Sequence, residues 1–251
     1  MINIILSGCN GKMGRVISEA AKCDETVKIV AGFDINTEKN FDYPVYSDFD
    51  DINAGANVVI DFSHPANLEK VLCYCTKNNV AAVIATTGLT GEQTSKIYEA
   101  AKKIPVFFSA NMSLGVNLLV SLAKQASRVL EDNFDIEIVE KHHNQKIDAP
   151  SGTALMIADE INKELKESCE YVYDRHLSRQ KRSKNEIGIH SVRGGNIVGE
   201  HTVIFAGNDE IIEITHKAAS KEVFAVGSIR AAQFLSGKGA GLYNMQDIMN
   251  L

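Results

Sequence analysis

The first 34 residues restrict the fold more than any other stretch. An apolar run at 2–6 leads directly into Ser7-Gly8-Cys9-Asn10-Gly11-Lys12-Met13-Gly14. Val16, Ile17, Ala20 and Ala21 follow at helical spacing, and 27–33 reads as a second strand ending at Asp34. Strand, glycine-rich turn, helix, strand and terminal acid, in that order, open a dinucleotide-binding βαβ unit. The glycines fall as GxxGxxG rather than GxGxxG, yet each physical need is met. Gly8 can turn the chain tightly, Gly11 lets backbone approach a pyrophosphate, and Gly14 allows helix to pack closely on strand. Asp34 stands where a carboxylate accepts the ribose hydroxyls of the adenosine. It would repel a 2′-phosphate, and Ile35 rather than Arg follows it, which favours NADH. Lys12 and Lys39 can offset that repulsion, so NADPH stays open.

The alternation continues. Strands are expected at 58–62, 81–85 and 106–109, with helices at 67–77 and 90–102 between them. This implies a parallel sheet covered on both faces, with ligands at the carboxyl ends of the strands. The polar tips 61–64, 85–88 and 109–113 are therefore candidate cofactor-facing loops, in which His64 reads as a loop residue. After Gly115 the character changes. A long helix at 116–130, a strand at 135–141 and a helix at 153–166 precede a polar stretch, 168–185. That stretch reads as a surface connection, with one of its Arg residues as a secondary candidate for binding substrate. Strands at 187–192, 199–205 and 210–216, joined by short glycine turns, suggest an antiparallel or mixed sheet. A helix at 220–236 and a tail ending in an amphipathic segment close the chain. The fold class is thus α/β: a Rossmann-type dinucleotide-binding domain (1–113 and 223–251) plus an α+β domain with a mixed sheet (114–222).

Composition narrows the partners. The chain has 251 residues, 45% hydrophobic and 23% charged, with net charge −6. Such a balance is ordinary for a globular protein and does not favour a nucleic-acid partner. Five Cys without a CxxC argue against a disulfide framework or zinc site, and no metal site is expected. No apolar run approaches membrane-spanning length, and the first residues enter a strand rather than a signal-peptide pattern, so a cytoplasmic protein is expected.

Against that acidic background, His142, His143 and Lys146 cluster within five residues. Pro150-Ser151-Gly152-Thr153 and a helical apolar pattern follow at once. Cationic side chains leading into a helix N-terminus suit a small substrate carrying carboxylates. The alternative is plainer: surface imidazoles and ordinary Ser capping. Consecutive strand residues face opposite ways, so His142 and His143 would take separate roles rather than chelate one metal.

Together these segments resemble the 4-hydroxy-tetrahydrodipicolinate reductase (dihydrodipicolinate reductase) family over nearly the whole chain. The most specific agreement lies in 140–154: two His, a Lys three positions on, and Asp-Ala-Pro-Ser-Gly-Thr-Ala. Further agreement lies in 8–14, Thr86-Thr87-Gly88, Asn111 with Gly115-Val116-Asn117, Arg193-Gly194-Gly195 with Gly199-Glu200-His201-Thr202, and Gly241-Leu242-Tyr243. The resemblance implies His142 as catalytic acid/base and Lys146 as proton donor, with His143, Gly152 and Thr153 binding substrate carboxylate. Which of His142 and Lys146 delivers the proton is left open. It implies cofactor contacts from Gly8, Cys9, Asn10, Gly11, Lys12, Met13, Asp34, Ala85, Thr86, Thr87, Ser109, Ala110, Asn111 and Met112. Ala85 stands where many members have Gly, and Asn144-Gln145 replaces a more basic pair. The resemblance also implies NAD(P)H-dependent reduction in lysine and diaminopimelate synthesis, and a homotetramer built through the second domain's sheet. Two other readings compete: another two-domain oxidoreductase such as an amino-acid dehydrogenase, or a dinucleotide-sensing regulator. The latter needs a basic helix-turn-helix or similar element, which the sequence does not display.

Overall fold

Parallel strand pairing starts at the N-terminus and organises the larger part of the chain. The computed structural model describes residues 1–176 and 179–249. They divide into two units, Met1–Leu114 with Lys221–Leu251, and Gly115–Ser220. The elements up to the end of the first pass are β1 (Ile2–Ser7), α1 (Lys12–Lys22), β2 (Val27–Phe33), β3 (Val45–Tyr46), β4 (Val58–Asp61), α2 (Leu68–Asn78), β5 (Ala81–Ile84), α3 (Gly91–Ala101) and β6 (Pro105–Phe108). The second unit contains α4 (Leu114–Leu130, which starts at the boundary), β7 (Asp135–His142), α5 (Gly152–Asn162), β8 (Glu170–Val172), β9 (Glu186–Arg193), β10 (Gly199–Ala206) and β11 (Ile211–Ala218). The chain then returns to the first unit with α6 (Glu222–Leu235), β12 (Gly241–Tyr243) and α7 (Met245–Met249).

In the first unit the described residues form a seven-stranded sheet, ordered β12-β6-β5-β4-β1-β2-β3. Every pair in it is parallel. Its central strands are continuous apolar runs because both faces are covered. Ile4, Leu6, Val58, Ile60, Val83 and Phe107 pack on one side with Ile17 of α1 and Ala225, Ile229 and Ala232 of α6. Ile5, Val59, Ala82, Ile84 and Val106 pack on the other with Val71, Leu72 and Cys75 of α2 and Ile97 of α3. β1 pairs with β2 on one side and β4 on the other. The strand order therefore reverses beside the glycine turn, where nucleotides bind in open parallel sheets.

The second unit carries a five-stranded mixed sheet among its described residues, ordered β11-β10-β7-β9-β8. β7 runs antiparallel to β10 and parallel to β9, because the crossover containing α5 separates β7 from β9. Along β7 the even positions face the core: Ile136 and Ile138 meet Leu119, Val120 and Ala123 of α4 and Ile157, Ala158 and Ile161 of α5. β9 and β10 add Ile187, Ile189, Val203 and Phe205 to the same layer.

Three expectations need correction. The helix expected over 153–166 ends at Asn162, whose side-chain amide bonds both backbone groups of Cys169 (3.0 and 2.8 Å) and draws the chain into β8. The stretch 168–185 is therefore not all surface connection. Second, Arg175 and Arg182 lie against Glu137, at 2.9 Å each, with Arg175 also on Glu186 and Arg182 on Asp135. They brace the sheet, so this part of the stretch is held against the fold rather than serving as a plain surface connection. Third, the tail adds strand β12 beside β6 before its helix. Residues 177–178 of the connection and 250–251 of the tail lie outside the described residues.

Candidate active site

In the first unit the glycine turn is built around close backbone approaches. Gly8 has φ +80°, and a Cβ there would sit 2.8 Å from the Phe62 carbonyl oxygen. A Cβ on Gly14 would come within 2.5 Å of the Cys9 carbonyl oxygen and collide with that of Gly8. Gly14 thus makes room for the turn itself, rather than for helix on strand as the spacing suggests. α1 has Gly11 as its N-cap residue, with no side-chain cap and no acid in its first turn. Its leading N–H groups and the helix dipole therefore favour an anion.

Asp34 closes this cradle. Its Oδ2 accepts from the Asn10 backbone N–H at 2.9 Å and its Oδ1 from that of Asn36 at 3.1 Å. The Asn10 side chain donates to the carbonyls of Asn36 (2.7 Å) and Glu38 (2.9 Å) and accepts from Asn40 (3.0 Å). One residue of the turn thereby holds the whole loop that follows β2. Cys9 behaves differently from its neighbours. Its thiol is buried against Gly32 and Tyr43, and burial, with the Asp34 charge, pushes it up to about 12. Only its backbone is available to a nucleotide. Lys12 is exposed and Met13 half-buried.

Of the other loop positions, Thr87 and Ala110 are exposed and Ser109 half-buried, whereas Ala85, Thr86, Asn111 and Met112 are buried. The Thr86 hydroxyl donates to Asp61 Oδ2 at 2.6 Å. Asp61 Oδ1 accepts from the Ser63 hydroxyl at 2.6 Å. This fully buried carboxylate ties the loop after β4 to the loop after β5. His64 caps the short 3₁₀ turn that follows, its Nδ1 accepting from the Ala66 N–H.

In the second unit the core face of the sheet turns polar at one end. The parity that buries Ile136 and Ile138 continues to Glu140 and His142. Register places Glu140 beside Ser191 and His201, and His142 beside Arg193. Glu140 is fully buried. Its Oε2 meets His142 Nδ1 at 2.6 Å and one terminal nitrogen of Arg193 at 2.8 Å. Its Oε1 accepts from the other Arg193 nitrogen at 2.6 Å and from the Ser151 N–H at 3.1 Å. Burial alone would raise the Glu140 carboxyl, but hydrogen bonds from Arg193, Ser191 and His142 hold it down to about 2. His142 is lowered by burial, with Lys146 and Arg193 adding to that and Glu140 opposing it. Gly199 leaves space beside His142, since a Cβ there would stand 3.1 Å from Nε2.

A tight turn follows, in which the Lys146 N–H donates to the His143 carbonyl at 3.2 Å. Lys146 Nζ then pairs with Asp148 Oδ1 at 2.8 Å. Ser151 caps α5 by accepting from the Ala154 N–H at 3.1 Å, and its hydroxyl lies 3.0 Å from His201 Nε2. Gly152 opens the helix into empty space, since a Cβ added there would meet nothing within 4 Å. His142, His143, Lys146, Gly152 and Thr153 thus come from one segment at the polar end of one sheet. Glu140, Arg193 and His201 join them unforeseen. Glu140 carries a readable signal, a carboxylate at a core-parity position of β7. Arg193 and His201 stand in motifs that carry the family resemblance, but the sequence assigns neither a role.

Both halves of the chain match one family. Its N-terminal model, dihydrodipicolinate reductase, N-terminus, covers residues 2–112, and its C-terminal counterpart covers 115–249. The chain belongs to the dihydrodipicolinate reductase family. A 4-hydroxy-tetrahydrodipicolinate reductase from Caldanaerobacter subterraneus subsp. tengcongensis is 55% identical, over 99% of this chain and 98% of that protein. One from Clostridium tetani is 50% identical, over 100% and 98%. Among solved structures, dipicolinate-bound dihydrodipicolinate reductase from Paenisporosarcina sp. TG-14 superposes with TM-score 0.83 at 25% identity, covering 98% of each chain. Aspartate dehydrogenase from Thermotoga maritima, at 12% identity and TM-score 0.56, shares the fold alone. Dihydrodipicolinate reductases are NAD(P)H-dependent oxidoreductases with a Rossmann-type domain, and the parallel sheet of the first unit fits that description.

Proposed function

We propose that this protein reduces 4-hydroxy-tetrahydrodipicolinate to tetrahydrodipicolinate with NAD(P)H, in lysine and diaminopimelate biosynthesis. The observation that carries this reading is the polar end of the second unit's sheet. It joins His142, Lys146 and a helix N-terminus with no acid in its first turn, in a chain that matches named reductases from end to end.

The first unit's residues fit a dinucleotide. The Gly8 and Gly14 positions leave no room for a Cβ, α1 offers an uncapped N-terminus, and Asp34 presents a carboxylate one turn away. A reduced nicotinamide supplies the hydride when bound. The Asp34 charge disfavours a 2′-phosphate, and Ile35, 87% exposed, offers apolar surface instead of a cation. NADH is therefore the preferred cofactor, with NADPH accepted more weakly.

In the second unit, His143 and the backbone of Gly152 and Thr153 hold the substrate carboxylates. Fixed charges and oriented N–H groups align the ring without reorganising during the reaction. Loss of the 4-hydroxyl as water gives a conjugated imine ring, and hydride addition to that ring leaves electron density that needs a proton. His142 Nε2 and Lys146 Nζ are the groups that supply it. The outer face of the same sheet exposes Val192 and Ile211 among polar neighbours, which supports assembly of a homotetramer through that sheet. Light scattering of the purified protein tests the tetramer.

The activity is tested by adding enzyme to NADH or NADPH with freshly condensed aldol product and following nicotinamide absorbance. A fall in absorbance that requires the condensation product is expected, with the larger kcat/KM for NADH. No turnover with either cofactor would remove the proposal. An amino-acid and ammonia panel that turned over instead would replace it with a dehydrogenase.

A further inference from the structure

Arg193, the last residue of β9, touches the supports of both proton-bearing groups. Its first terminal nitrogen donates to Glu140 Oε2 and to the Val192 carbonyl, each at 2.8 Å. Its second donates to Glu140 Oε1 and to the Asp148 carbonyl, each at 2.6 Å. The remaining donor, Nε, is buried and has no hydrogen-bond partner among the described residues. A guanidinium has five N–H groups in a fixed fork. Four are engaged within the chain and the fifth is turned inward, so none is left to grip a substrate carboxylate.

These contacts lead in two directions. Through Glu140 they reach His142 Nδ1 and the Ser151 N–H at the start of α5. Through the Asp148 carbonyl they reach the segment whose carboxylate pairs with Lys146. We propose that Arg193 is a positioning residue for the reduction: it fixes Glu140, and with it the ring and tautomer of His142, and the same fork fixes the loop that carries Lys146. An ionised Glu140 can only accept. Nδ1 of His142 must therefore carry a proton, and Nε2 is left as the atom that gains and loses one. The inference rests on the proposed reductase activity for its kinetic part but not for its tautomer part.

The experiment has two arms. In the wild-type protein, long-range ¹H–¹⁵N NMR should show neutral His142 as the Nδ1–H tautomer; an Nε2–H tautomer would overturn the proposal whether or not the enzyme turns over. In Arg193→Lys, which keeps charge but loses the fork, kcat should fall about 10²-fold through misplacement. Affinity for pyridine-2,6-dicarboxylate should stay within about threefold, and the His142 signals should become a tautomer mixture. Loss of dicarboxylate affinity in step with kcat would make Arg193 a substrate ligand, and unchanged kcat with an unchanged tautomer would remove its role. Wild-type inactivity would instead count against the reductase reading alone.

Discussion

His201 should make the second unit lose stability in mild acid, by an amount the structure allows to be worked out. The ring is 4% exposed, bonded to Ser151 through Nε2, and its Nδ1 is buried without a partner among the described residues. It faces His142, Glu140, His216 and Lys146. Burial first, then the neighbouring His142, pushes it down to about 4. In an unfolded chain it would titrate near 6.5. The unfolded state therefore takes up the proton first, and stability that is complete above about pH 6.5 is lost as pH falls toward 4. Linkage gives about 2 kcal/mol lost between pH 7 and pH 5, and on the order of 3 kcal/mol in all. Native-state hydrogen exchange at β10 amides, at fixed protein concentration, measures it. His201→Gln keeps an amide within reach of Ser151 and cannot titrate, so its loss from pH 7 to 5 should be smaller by about 2 kcal/mol. An identical pH dependence in variant and wild type would refute the reasoning, because every other His is common to both.

Two further outcomes follow from the first unit. Gly14→Ala places a methyl against the Gly8 and Cys9 carbonyls. It should lower stability by about 1–3 kcal/mol and weaken NADH binding, read by thermal melting and by fluorescence titration. Asn10→Ala releases the Asn36 and Glu38 carbonyls and the Asn40 amide. The loop after β2 should loosen, and the KM ratio of NADPH to NADH should fall with kcat nearly unchanged. A ratio that stays fixed would mean that Asn10 does not set cofactor choice.

The fold is most legible where local chemistry and period agree. β1, the glycine turn, α1 and β2 can be read because Gly8, the apolar helix face and the continuous strand runs each demand the same arrangement. β12 escapes a reading from sequence because three residues, Gly241-Leu242-Tyr243, carry no readable period; pairing with β6 makes them a strand. The end of α5 is hidden because the amide of Asn162, not a helix breaker, redirects the chain. In the site, the motif residues 142–153 are visible as a run. Of their supports only Glu140 leaves a signal, a carboxylate at a core-parity position; Arg193 and His201 leave none, since the three lie on three strands that only sheet register brings together. Cys9 is a mixed case: the family resemblance implies a nucleotide contact, and the turn sends its thiol into the core, which leaves only its backbone for that contact.

Steady-state kinetics of His142→Gln and Lys146→Met, beside wild type and with cofactor binding measured separately, test the assigned chemistry most directly. Both variants should lose kcat by about 10²-fold or more while the Kd for NADH stays within about twofold. Variants that turn over like wild type, or that lose NADH binding and turnover together, would contradict the placement of proton delivery at these two side chains.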